Sequence, residues 1–251
     1  MSVLMTRPKS TTLQPPISIR PRRDSRKRRH WLRLLASIPF AFAVPFVFAD
    51  TLQLNRDIFY GVYALAVACF VTAWARDTHL TRRDLIRNWR WGVLLGVIGA
   101  ALTALIAIRT DHATDRPGVI ELVAAVLWRG VVYGATDGVL LSVFPILAVF
   151  AAFAGTRLRR KAAGTVVVAA IAMIASLGIT TVYHLGYSDF RTEKVRKPIA
   201  GDMIWSAPTL VTLSPFGAPI AHVGLHVGAV LHSYDTDTFL PPHASAAEPN
   251  P

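Results

Sequence analysis

The stretch that decides the fold reads "VIELVAAVLWRGVVYGATDGVLLSVFPILAVFAAFAG", residues 119–155. Only three ionisable side chains interrupt this apolar run, those of Glu121, Arg129 and Asp137. About 20 residues cross the hydrocarbon core of a membrane, so the run is longer than one span requires. It predicts either two spans that break near residues 134–138, or one span followed by a partly inserted helix.

The rest of the chain alternates between further apolar runs and short charged segments. The 251 residues are 53% hydrophobic and only 17% charged, with a mean hydropathy of +0.41. This composition is typical of a polytopic membrane protein and unusual for a soluble domain of this length. We expect an all-α fold with seven or eight transmembrane spans. The other apolar runs are residues 31–49, 58–75, 91–108, 164–183, 202–213 and 216–232.

The net charge of +12 is concentrated near the N-terminus. Residues 1–30 are basic and contain proline, which predicts a disordered tail; residues 31–232 form the membrane domain, and residues 233–251 a polar, Pro-rich tail. The positive-inside bias predicts a cytoplasmic N-terminus in the cell membrane, with anionic lipid headgroups as partners. We expect no nucleic-acid partner, because the basic segment lacks interleaved aromatic residues. The single cysteine, Cys69, excludes an intrachain disulfide framework and a thiolate-rich metal site.

Ionisable side chains inside apolar spans are costly, so they normally face the protein interior. Glu121, Arg129 and Asp137 follow one another at intervals of eight residues, which places them roughly on one side of a helix. Arg129 can therefore reach either carboxylate. A structural ion pair and a functional group both fit this pattern.

Histidines form a second group of polar residues in apolar runs. His222 and His226 are four residues apart, so both rings project from one helix face, and His184 ends another apolar run. This spacing suits a divalent metal held by His184, His222 and His226, whereas the alternative is that each neutral imidazole bonds a neighbouring helix. On the same run, Gly224 and Gly228 form a GxxxG pattern, which predicts an internal packing face.

Three short motifs resemble, in order, those of the CPBP family of intramembrane proteases, which includes the CAAX prenyl proteases. Arg129 and Gly130 match the end of its Glu-Glu-x-x-x-Arg motif, His184 matches Phe-x-x-x-His, and His222 matches His-x-x-x-Asn or Asp. The chain departs from the family at several motif positions. The departures are Ala124 and Ala125 for the two glutamates, Thr180 for the phenylalanine and His226 for the Asn or Asp.

The resemblance implies a catalytic set in which Glu121 acts as base, His184 and His222 hold the water and the oxyanion, and Arg129 orients Glu121. Because Ala124 and Ala125 replace the family's glutamates, our first interpretation is a non-catalytic relative that binds a lipid, a peptide or another membrane protein. An active intramembrane endopeptidase is the second interpretation. A small transporter or metal-handling protein is the third, and it alone calls for a cofactor, a divalent metal.

Overall fold

The computed structural model describes residues 22–86 and 88–234, and every regular element in these residues is helical. The predicted disorder of residues 1–21 and of residues 235–251 lies outside the described residues. Eight helices carry the fold in the order α1 (Arg22–Pro45), α2 (Arg56–Thr78), α3 (Arg82–Leu85), α4 (Trp89–Thr110), α5 (Val119–Ala152), α6 (Ala162–Leu185), α7 (Arg196–Thr212) and α8 (Gly217–His232).

Five of these helices, α1, α2, α4, α5 and α6, are long and apolar enough to cross a membrane. The predicted all-α fold is therefore confirmed for the described residues, with five helices that meet the length and hydropathy of a membrane span. Helices α7 and α8 have only 17 and 16 residues, so the predicted count of seven or eight spans stays a prediction.

Residues 119–152 form one helix rather than two. Helix α5 runs without interruption for 34 residues, and the predicted break near residues 134–138 is absent from it. The helix contains two π-helical segments, Val126–Tyr133 and Gly138–Val143, and continues through both of them. Because α5 is one continuous helix, the basic residues 157–161 that follow it lie at the same end of the bundle as the start of α1. The contact between Trp31 and Phe153 lies at this end.

Helix α1 begins at Arg22, so the predicted disorder is wrong for residues 22–30. The cause is a set of contacts with the end of α2. The indole N–H of Trp74 donates to Nδ1 of His30 at 3.1 Å, and Arg33 forms an ion pair with Asp77. Arg29 donates to the backbone carbonyl of Asp77 at 2.8 Å. These contacts extend the helix beyond its apolar part.

Helix α8 packs closely against α4 through the GxxxG glycines. A Cβ added at Gly224 would lie 2.3 Å from Cα of Ala100, and one at Gly228 would lie 2.9 Å from Cα of Ala104. Only glycine therefore permits this approach. The contact confirms that the GxxxG pattern is an internal packing face.

A second row of glycines, Gly130, Gly134 and Gly138 of α5, lies against the other side of α8. A Cβ at Gly134 would lie 3.1 Å from Cα of Val223, and one at Gly138 would lie 2.5 Å from Cα of Pro219. Helix α8 is thus held between α4 and α5 at close range. This arrangement brings the histidines of α8 next to the polar residues of α5.

We expect Gly224→Ala to lower the free energy of unfolding by about 1–3 kcal/mol, the usual cost of overpacking a tight contact. Gly178→Ala on α6 is the matched control, because no atom lies within 4 Å of its Cβ position. The control is expected to be neutral or stabilising, since alanine favours a helix more than glycine does. Thermal unfolding of both variants in the same detergent measures the difference. Equal melting temperatures would contradict the packing role of Gly224.

The two ends of the bundle differ in charge. Among the side chains that the structure describes at the end where α1 begins, Asp77 and Asp84 are the acids. The bases there are far more numerous: Arg26, Lys27, Arg28, Arg29, Arg33, Arg76, Arg82, Arg83, Arg90, Arg157, Arg159, Arg160 and Lys161. We call this the basic end. The opposite end, which we call the balanced end, carries acids and bases in nearly equal number: Asp50, Asp57, Asp111, Asp115, Glu121, Asp189 and Glu193 with Arg56, Arg109, Arg116, Arg129, Arg191, Lys194, Arg196 and Lys197.

Candidate functional site: a cavity with a carboxylate and histidines

A cavity of about 540 Å³ lies between helices α4 to α8. Most of its lining is apolar, with Ile106, Leu141, Ile204 and Leu225 among the walls. Its polar lining is clustered and consists mainly of Asp137, His184, His222, His226, Tyr133, Tyr183 and Tyr187. The cavity therefore combines an apolar interior with a compact group of titratable side chains.

Asp137 is the carboxylate of this cluster and is buried. It ends a short α-helical segment between the two π-helical parts of α5, a kind of irregularity that is frequent at functional sites. The hydroxyl of Tyr63 donates to its Oδ1 at 2.8 Å, and Nε2 of His226 lies 3.4 Å from its Oδ2. Both carboxylate oxygens are thus held in place by neighbouring helices.

His222 and His226 lie side by side on α8, with nearly parallel rings 6.2 Å apart. Nε2 of His222 lies 3.5 Å from Oγ of Ser142, and its ring packs on Trp205. The Nδ1 atoms of both histidines are buried and have no hydrogen-bond partner among the described residues. The prediction that these two rings face the protein interior is confirmed.

Next to His222 lies a second buried carboxylate, that of Asp202 on α7. Its Oδ1 accepts a hydrogen bond from the Trp205 indole at 2.9 Å and lies 2.7 Å from the hydroxyl of Ser206. The Ser142 hydroxyl lies between the two groups, 3.4 Å from Asp202 and 3.5 Å from His222. A continuous polar network therefore connects α5, α7 and α8 through the bundle interior.

Three buried tyrosines form a hydrogen-bonded row along one side of the cavity. The hydroxyls of Tyr133 and Tyr183 are 2.9 Å apart, as are those of Tyr183 and Tyr187. Tyr187 lies just beyond the end of α6, and burial raises the pKa of its phenol well above the usual value. It therefore remains a neutral hydroxyl at physiological pH.

His184 lines the same cavity as His222, as the sequence predicts. Its Nδ1 lies 2.8 Å from the backbone carbonyl of Thr180, and its ring packs against Phe190. The predicted metal set of His184, His222 and His226 is corrected by the geometry. The group whose ligand atoms all lie within 4.8 Å of one another consists of Asp137, His222 and His226, because α5 contacts α8 directly there.

Glu121 does not approach the histidines, so its predicted position is wrong. It lies in the first turn of α5, and a helix rises about 1.5 Å per residue, which places it about 24 Å from Asp137. Its Oε1 accepts a hydrogen bond from the Tyr234 hydroxyl at 3.0 Å. Burial and this carboxylate raise the pKa of the Tyr234 phenol, which therefore remains the donor.

Arg129 pairs with Asp57 at the start of α2, not with Glu121 or Asp137. Its Nε and Nη2 donate to the two carboxylate oxygens of Asp57 at 2.8 and 2.7 Å. The guanidinium also lies 5.1 Å from the ring centre of Tyr234. The bidentate partner is on another helix, so the eight-residue spacing within α5 does not reveal it. Arg129 therefore joins helices at the balanced end and lies outside the cavity lining.

Sequence reasoning missed the role of Asp137 and overlooked Asp202 altogether. Asp137 follows Gly130 and Gly134 on a small-residue face, a pattern that signals close helix packing around it. Asp202 lies in a segment that is short and interrupted by Pro208. Its partners Trp205 and Ser206 follow it by three and four residues on the same helix, a spacing that could have indicated the contact, whereas nothing in the spacing indicates Ser142 of α5.

No protein-family model, curated protein or solved structure matches the chain. The resemblance to the CPBP family therefore stays a prediction.

Proposed function

We propose that the chain is a multi-pass cell-membrane protein, with a cytoplasmic N-terminus, whose cavity binds an amphipathic lipid. The observation that carries the proposal is the cavity itself, an apolar space that contains the buried group Asp137, His222 and His226. An acyl chain fits such walls, and a polar headgroup or linkage can bond the carboxylate and the imidazoles. The volume of about 540 Å³ lies within the range of small-molecule sites.

The surroundings of the cavity favour a ligand that comes from the bilayer. Part of its wall is formed by Ile106 and Thr110 of α4 and by Ala200 and Ile204 of α7. Thr110 and Ala200 are exposed, so the cavity borders the outer surface of the bundle there. Lys197, also exposed, supplies a cation at the same end, where it can pair with an anionic headgroup.

The binding role has more support than the endopeptidase role with Glu121, His184 and His222. A general base must lie within hydrogen-bond reach of the water that it activates. Glu121 lies about 24 Å from the carboxylate of the cavity, and Arg129 is engaged by Asp57. The catalytic set implied by the family resemblance thus lacks its base and its orienting cation.

Ile106→Trp is expected to reduce the lipid that co-purifies with the protein by roughly tenfold, because the indole occupies part of the cavity. Ile98→Trp is the matched control on the same helix, since Ile98 is 57% exposed and lies outside the cavity lining. Native mass spectrometry of the full chain, released from detergent, measures bound lipid. Equal lipid occupancy of both variants, or a cavity that retains no lipid in the wild type, would overturn the proposal.

A further inference from the structure

We infer that Asp137, His222 and His226 form a binding site for a divalent transition metal of the Zn²⁺ class. One ligand atom from each side chain lies within 4.8 Å of the others, and all three side chains are buried. The inference goes beyond the proposed lipid binding and does not depend on it.

The residue types match what such a metal requires. Two imidazoles and one carboxylate are a common three-ligand set for zinc, in which a fourth position stays open for water or substrate. Metal–ligand distances of about 2.0–2.2 Å bring tetrahedral ligand atoms to roughly 3.3 Å from one another. The distance of 3.4 Å between Asp137 and His226 is already close to this value. Adjustment of the His222 side chain would complete the set.

Two of the three ligands, Asp137 and His222, have neighbours that hold them as supporting partners do in metal sites. The Tyr63 hydroxyl donates to Oδ1 of Asp137, which directs Oδ2 toward His226. Oγ of Ser142 lies 3.5 Å from Nε2 of His222. In the tautomer whose Nε2–H donates to Ser142, the lone pair is on Nδ1, which has no partner among the described atoms. Such partners set the tautomer and orientation of a metal-bound histidine.

The charge of the cavity also suits a dication. Asp137 and Lys197 are the charged groups among its described lining residues if the histidines are neutral, and Lys197 lies at the exposed mouth. A divalent ion, the Asp137 carboxylate and one anionic ligand in the fourth position together carry no net charge. A neutral assembly avoids the large cost of burying an isolated ion. Lipid phosphate or carboxylate groups and hydroxide are anions of the required kind.

The alternative is that Asp137 and His226 form a hydrogen-bonded pair that needs no metal. The metal content of the full chain, purified in detergent without a polyhistidine tag, distinguishes a metal site from such a pair. After dialysis against Zn²⁺ and removal of excess ion, we expect about one zinc per chain in the wild type. We expect a reduction of roughly tenfold or more in His226→Gln and in Asp137→Asn, which is nearly isosteric.

His232→Gln is the control, because His232 lies on the same helix outside the three-ligand group. It should bind zinc as the wild type does. Zinc should raise the melting temperature of the wild type and of His232→Gln but not that of His226→Gln. Failure of the wild type to bind zinc, or equal zinc in His226→Gln and the wild type, would overturn the inference. The Ile106→Trp variant distinguishes this site from the lipid site, since it should lose lipid and retain zinc.

Discussion

Asp202→Ala is expected to lower the free energy of unfolding by about 2–5 kcal/mol, because it leaves buried donors without their acceptor. The Trp205 indole N–H donates to Oδ1 of Asp202 and has no second acceptor in the described structure. The hydroxyls of Ser206 and Ser142 also lie within hydrogen-bond distance of this oxygen. Thermal unfolding in detergent, followed by circular dichroism, measures the loss.

Two variants separate the hydrogen-bond network from a general effect of removing a carboxylate. Asp202→Asn retains an acceptor oxygen and should lose clearly less stability than Asp202→Ala. Asp189→Ala removes an exposed carboxylate beyond α6 and should change stability by no more than about 0.5 kcal/mol. If Asp202→Ala unfolds at the same temperature as the wild type, the network does not stabilise the contact between α5 and α7.

Most helix positions could be predicted from the sequence, because each is an apolar run between charged segments. The runs at residues 58–75, 91–108 and 164–183 lie inside α2, α4 and α6, whose ends extend them by two to three residues. Residues 119–155 could not be resolved in this way. Hydropathy measures length and polarity, and it does not distinguish two short spans from one long helix with π-helical segments.

The site was predicted only in part, for a related reason. Apolar surroundings are enough to predict that His222 and His226 face inward, since an imidazole facing lipid is costly. The identity of their partner depends on which helices touch. Asp137 meets His226 because the glycines of α5 lie against α8, and Arg129 meets Asp57 because α2 lies on the other side. Spacing within one helix carries no such information. The family resemblance in turn implied that Glu121 lies beside the histidines, whereas its partner is Tyr234.

The charge asymmetry of the bundle also predicts the orientation of the chain in the membrane. Segments rich in Lys and Arg remain cytoplasmic, and only the basic end has such an excess. We therefore expect residues 157–161 to face the cytoplasm and residues 111–118 to face outside. These two segments lie at opposite ends of the bundle, because the helix between them, α5, is continuous.

Cysteine labelling in intact cells measures this orientation. In a Cys69→Ala background, His112→Cys should react with a membrane-impermeant maleimide roughly tenfold more than Lys161→Cys, and permeabilisation should make the two equal. The side chain of His112 is 84% exposed and that of Lys161 is also exposed, so a difference in maleimide labelling reports the side of the membrane on which each residue lies. Strong labelling of Lys161→Cys before permeabilisation would reverse the orientation. The expected result places Lys197 and the exposed edge of the cavity in the outer half of the membrane, so the proposed lipid would enter from the outer leaflet.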